Sequence, residues 1–205
     1  MNDALHQARR SALTLLVFSV VCTALLAGTH LLTEHTIRAN ENAVKQTLIS
    51  QTLPTGSYDN DPVASAVALS PDDADMLGNA GLANVYIAKR AGIPVAFVFE
   101  TQADNGYGDR IRLLVGINAT GTVSGVRVIA HKETPGLGSY IDSGRSEWLS
   151  QYDGRAADAA GKVNKDGGDF DRMTGTTLSA RAVSGAVDRV TAYYREHATR
   201  FAALQ

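Results

Sequence analysis

Residues 171–179 read D-R-M-T-G-T-T-L-S, and Thr174, Gly175, Thr176 and Thr177 lead directly into an amphipathic helical pattern. Hydroxyls and a flexible backbone at a helix N-terminus suit a phosphate, because unpaired N–H groups and the positive end of the helix dipole converge there. Taken alone, the same residues read first as a helix cap. A second stretch of possible chemistry is residues 132–142, K-E-T-P-G-L-G-S-Y-I-D. Pro135 fixes one φ angle, while Gly136 and Gly138 let the backbone approach a flat ligand closely. A plain connecting loop would use the same residues.

Other chemistries find little support. No G-x-S-x-G elbow, P-loop or dinucleotide fingerprint is present, since Gly106-Tyr107-Gly108 and Gly136-Leu137-Gly138 both lack the later glycine. Carboxylates are too dispersed to nominate a general acid/base pair, so no catalytic residue is assigned. The single cysteine, Cys22, excludes an internal disulfide, Cys-based zinc sites and an iron–sulfur cluster, which needs about four thiolates. The five histidines show no H-x-x-x-H pair, and no metal site is expected. A net charge of -2 leaves no basic excess for nucleic acid. Redox chemistry in this chain would need an organic cofactor.

Several elements must position these stretches. Residues 11–33 contain no charge, and at about 1.5 Å per residue they cover a bilayer's hydrocarbon core. The run is longer than the apolar region of a signal peptide and lacks a good cleavage site, so it reads as a retained anchor. Arg9 and Arg10 precede it, and Arg38 and Lys45 follow at a distance. The closeness of the arginines, with Glu34 and Glu41 beyond the span, places the N-terminus inside. The expected organisation is a cytoplasmic N-terminus (1–10), an anchor (11–33), a helical stalk and linker (34–71) and a folded domain (72–205). Ile37, Val44 and Leu48 mark one face of the stalk helix, which runs to about Gln51, and residues 53–71 read as loop.

The domain opens with strands at 83–90, 94–101, 110–117 and 123–131, paired as two hairpins. They predict an antiparallel sheet with one buried face. Residues 148–152 suggest a short helix, and 155–169 are polar with little core signal. A last helix over 179–203 carries the stripe Val183, Val187, Val190 and Tyr194. The fold class is α+β: a single membrane helix and stalk, then an antiparallel-sheet domain with a C-terminal helix.

Residues 106–117 (G-Y-G-D-R-I-R-L-L-V-G-I), 125–138 (G-V-R-V-I-A-H-K-E-T-P-G-L-G) and 171–179 together resemble the FMN-binding domain of bacterial redox pumps. The likeness is to the G-subunit family of the Rnf (also called Rsx) ion-translocating electron-transport complex. The family signature S/T-G-A-T-x-S/T implies FMN joined to its Thr by a phosphoester. In register, Thr174 and Gly175 open the motif, Thr177 is the attachment residue and Ser179 closes it. Thr176 stands where Ala is usual.

The resemblance also implies that Glu133, Thr134, Pro135, Gly136, Leu137 and Gly138 lie near the isoalloxazine ring. It implies other membrane subunits as partners, and a Mg²⁺-dependent flavin transferase for maturation. The implied protein is an inner-membrane subunit with its domain in the periplasm. It relays electrons one at a time in a complex coupling ferredoxin/NAD electron transfer to ion translocation. Two alternatives stand beside it: the C subunit of the sodium-translocating NADH:quinone oxidoreductase, and a membrane-tethered binding or scaffold module without cofactor. Neutral Thr/Gly/Thr composition at the helix start suits a phosphate, which a carboxylate there would repel.

Overall fold

The computed structural model describes residues 2–81, 83–136, 138–142, 146–156 and 177–202. The chain divides into two units, Met1–Val44 and Lys45–Gln205. Its first element is helix α1 (Asn2–Thr52). Within it, Arg9–Glu34 is long and apolar enough to cross a membrane. Leu16, Phe18, Leu25, Leu26 and Leu31 are exposed there, as a lipid-facing surface would be. The hydroxyls of Thr14 and Thr33 donate to carbonyls four residues earlier, at 3.0 and 2.8 Å, and Thr29 does the same to Leu25. Each thereby satisfies its polar group without water.

In the second unit, five strands form one antiparallel meander: β1 (Ala66–Ala68), β2 (Asn84–Arg90), β3 (Ile93–Ala103), β4 (Ile111–Asn118) and β5 (Val123–Ala130). Four match the expected strands to within a few residues. The fifth, β1, lies in the stretch read as loop. Only three residues long and fully exposed, it has no buried alternation to reveal it. Between β1 and β2 comes the short helix α2 (Pro71–Met76), capped by Ser70.

The sheet buries both faces at its centre, not one. On one side the core gathers Phe97, Phe99, Leu113, Val115 and Ile117 with helix α3 (Thr177–Glu196) and helix α4 (Ala198–Ala202). The expected stripe of Val183, Val187, Val190 and Tyr194 is buried there. On the other side the end of α1 covers the strands, with Ile49 and Leu53 against Tyr86, Val98 and Leu114. Gly116 and Gly125 are paired across β4 and β5, and they make that close approach possible. A Cβ on Gly116 would stand 2.7 Å from the Thr52 carbonyl oxygen. Ser124 Oγ donates to the same carbonyl at 2.7 Å. Nearby, Tyr86 donates to Glu100 Oε1 at 2.5 Å, and Lys45 pairs with the same oxygen. Burial, then the hydrogen bond to Glu100 and its charge, raises the Tyr86 phenol far above its ordinary pKa.

The final helix is broken where the periodicity predicted continuity to residue 203. His197 Nδ1 lies 2.9 Å from the Tyr193 carbonyl, and its ring stacks on Tyr193 at 4.3 Å. The His197 backbone N–H still donates to the same carbonyl at 3.1 Å, and beyond it α4 seats Phe201 in the core. Arg200 Nη1 then donates to Asp73 Oδ2 at 2.9 Å, as does Ser70 Oγ at 2.7 Å. Burial pushes the Asp73 pKa up, but the hydrogen bonds from Arg200 and Ser70 outweigh it, so the net direction is below 3.8.

A depressed native pKa stabilises the fold above the unfolded value, and that stability is lost as pH falls through the native value. The melting temperature of wild type should therefore exceed that of Asp73→Asn by a constant margin at neutral pH. The margin should shrink below about pH 3.8. A margin that grew on acidification would contradict the assignment.

Candidate functional site

The chain leaves β5 through His131 and Lys132 and enters the glycine-rich loop. The Glu133 backbone N–H donates to His131 Nδ1 at 3.1 Å. Glu133 is 5% exposed. Its Oε2 accepts from Ser179 Oγ at 2.7 Å, and its Oε1 accepts from the Gly108 N–H at 3.2 Å. One carboxylate thus ties together the loop after β5, the β3–β4 loop and the first turn of α3.

Glycines make room for it. A Cβ on Gly138 would come to 2.1 Å from Glu133 Oε2, and one on Gly106 to 2.6 Å from Oε1. Outside this knot, Lys132 Nζ donates to Asp109 Oδ2 at 2.8 Å, and that bond holds the Asp109 carboxyl below its ordinary range.

Beyond Glu133 the loop turns outward. Thr134, Pro135 and Gly136 are exposed, with Gly136 at φ 82°, a left-handed conformation that favours glycine. The Gly138 N–H donates to the Thr134 carbonyl at 3.1 Å, and the Gly136 N–H to Ser139 Oγ at 3.1 Å, which closes the turn. The chain then enters the core through a buried 3-10 turn, Ser139–Ile141. The 3-10 helix Trp148–Tyr152 follows, where a short helix was expected. Its Tyr152 hydroxyl lies 2.7 Å from Ser184 Oγ of α3.

Of the residues expected to form the site, Thr177 is the first residue of α3 and is half-buried. Thr174, Gly175, Thr176 and Leu137 lie outside the described residues. The helix start is not free of carboxylates. No acid stands in α3's own first turn, but Glu133 brings one from the loop. It meets Ser179, and at about 100° per residue Thr177 projects roughly 200° around the axis from there. The charge is therefore turned away from the threonine.

A groove of about 660 Å³ runs beside this turn, lined by Ala103–Gly106 and by Leu178, Arg181, Ala182, Gly185 and Arg189. Leu178, Arg181, Gly185 and Arg189 follow helical spacing and form a second face of α3 beside the buried stripe. The sequence reading missed that face, although the spacing was available. Leu178 is 51% exposed, and small residues at 103, 106, 182 and 185 leave space next to it. Arg181, one turn after Thr177, is exposed and places a guanidinium on Thr177's side of the helix.

The profile of the FMN-binding domain matches residues 106–192, from the glycine that abuts Glu133 to the later part of α3. That of the RnfG N-terminal region matches residues 1–52, the span of α1. A Vibrio cholerae serotype O1 (strain M66-2) protein, the G subunit of an ion-translocating oxidoreductase complex, is 42% identical over 193 residues. The alignment covers 92% of this chain and 91% of that protein. The chain belongs to this G-subunit family.

Two further members of the family agree. The Shewanella baltica (strain OS223) protein is 38% identical over 199 residues, covering 95% of this chain and 93% of its own length. The Pseudoalteromonas atlantica (strain T6c / ATCC BAA-1087) protein is 40% identical over 190 residues, covering 91% and 87%. Within the G-subunit family's layout, the Glu133 knot, Thr177 and the α3 side of the groove fall inside the FMN-binding domain, and the candidate membrane span falls inside the N-terminal region.

Proposed function

We propose that this chain is the membrane-anchored, electron-carrying subunit of an ion-translocating oxidoreductase complex, with FMN esterified to Thr177. The placement of Thr177 carries the reading: it opens α3 within the FMN-binding domain, beside a groove of ligand size. Thr177 Oγ1 would hold FMN through a phosphoester, which a separate flavin transferase would form from FAD with release of AMP and of the hydroxyl proton.

The residues present fit that group. First-turn N–H groups and the Arg181 guanidinium face a phosphate ester, and Leu178 with the small residues of the groove offers an apolar wall to a flat ring. When bound, FMN supplies one-electron transfer. The protein's part is to hold its phosphate, orient its ring and keep it from being lost. Thr134, Pro135, Gly136 and Leu137 complete the ring's surroundings in this reading, and Thr174, Gly175 and Thr176 flank the ester. The match of residues 1–52 to the RnfG N-terminal region favours this complex over the sodium-translocating NADH:quinone oxidoreductase.

Residues 11–33 anchor the chain in the bacterial inner membrane, and residues 34–71 link the anchor to the domain at 72–205. With Arg9 and Arg10 on the cytoplasmic flank, the domain stands in the periplasm. Alkaline phosphatase fused after Gln205 should be active, and an inactive fusion would overturn the orientation. For the flavin, the full chain is produced with a flavin transferase, denatured and viewed under ultraviolet light. In-gel fluorescence should appear, with peptide mass spectrometry placing the adduct on Thr177. A colourless chain would favour the tethered scaffold module instead.

A further inference from the structure

We propose that Glu133 is a positioning residue for flavin attachment, acting through Ser179 to set the rotation of α3's first turn. The inference rests on Thr177 as the acceptor. Ser179 is fully buried, and its hydroxyl is spent on Glu133 Oε2 at 2.7 Å, although 46 residues separate the two in sequence. The second carboxylate oxygen is held by the Gly108 N–H, and Gly106 and Gly138 close around it so tightly that no side chain fits at either place. A buried carboxylate with two donors beside a helix's positive end is well compensated. It is therefore a rigid reference point against which the first turn is registered.

First turns fray, because their N–H groups lack intrahelical partners. Pinning Ser179 inward directs Thr177, two residues earlier and roughly 200° around the axis, away from the core and toward Arg181's side. The closing hydroxyl of the 171–179 stretch thus orients the acceptor rather than touching the ligand. The same carboxylate fixes the base of the exposed Thr134–Gly136 turn. Helix start and loop are consequently held in one register.

The test measures flavin incorporation into purified, full-length apo-protein in detergent, with FAD and a flavin transferase, as kcat and as KM for the chain. Ser179→Ala and Glu133→Gln should each lower kcat about tenfold, the worth of one buried hydrogen bond, with KM unchanged. Glutamine carries no charge and can keep both partners only if Ser179 reverses from donor to acceptor, so the charge-assisted bond that fixes the hydroxyl is lost. Ser179→Thr keeps the hydroxyl and should restore kcat. Melting of each variant, followed by Trp148 fluorescence, shows that the folded state is the one assayed.

Wild-type kcat in both Ser179→Ala and Glu133→Gln, with the adduct on Thr177, would overturn the proposal. So would a loss confined to KM, or one that Ser179→Thr fails to restore. No adduct on Thr177 in the wild type would instead overturn the reading on which the proposal rests.

Discussion

Thr177→Val should abolish the covalent flavin, and Thr177→Ser should retain it. Valine has nearly the shape of threonine and is tolerated at a helix start, so the first turn and the Glu133–Ser179 contact survive the change. What disappears is the oxygen that forms the ester. Serine keeps that oxygen and loses only a methyl group at a half-buried position. In-gel fluorescence should therefore fall to background in the valine variant and persist in the serine variant. Fluorescence that persists in Thr177→Val would remove Thr177 as the attachment residue. An adduct on Thr176 would locate the replacement, because that neighbour also carries a hydroxyl.

Phe99→Ala should cost about 3–5 kcal/mol of stability, the usual range for emptying a phenylalanine site in a packed core. Phe99 is 0% exposed and stands where β3 meets both C-terminal helices. Its ring lies 5.4 Å from Phe201 edge-on, 6.1 Å from Tyr193 and 6.3 Å from Tyr194. Phe97 joins the same group, 5.1 Å from Phe201. Aromatic partners anchored on α3, α4 and β3 cannot all move into the vacated volume, so a cavity remains.

For a domain of this size the loss corresponds to a fall of roughly 10 °C in melting temperature. Trp148 is the sole tryptophan and is buried, so its fluorescence reports the transition directly. A shift of only a degree or two would mean that α3 is not seated on the sheet as described. The result bears on the proposed function because Thr177 is the first residue of α3.

The strands and the candidate membrane span were legible because each is a local pattern. Alternation over 83–90 and 123–131, turn residues at Ala91-Gly92 and Asn118–Gly121, and an uncharged run at 11–33 need no knowledge of neighbours. Strand β1 was hidden because three exposed residues carry no periodic signal. The break at His197 was hidden because the apolar period runs on through it to Phe201, which is buried in the core from the separate helix α4. The second buried face was also missed. Its cover comes from Ile49, in the helix read as stalk, and from Leu53 in the stretch read as loop just after it.

The candidate site divides in the same way. Residue types along 171–179 and 132–138 allowed a phosphate and a flat ring, but each alone read equally as a cap or a loop, and it was their joint resemblance to the FMN-binding domain that favoured the ligand. Sequence alone also determined the fold class and marked the candidate membrane span, through composition and period. Tertiary structure decided what Glu133 does. Its position in the chain suggested a place beside the ligand, yet its carboxylate is buried against Ser179 and Gly108. Packing also decided that Gly106 and Gly138 are small to admit that carboxylate, and that α3 presents Arg181 and Leu178 to a groove. Such contacts join residues far apart in the chain, and only the folded chain brings them within hydrogen-bond reach.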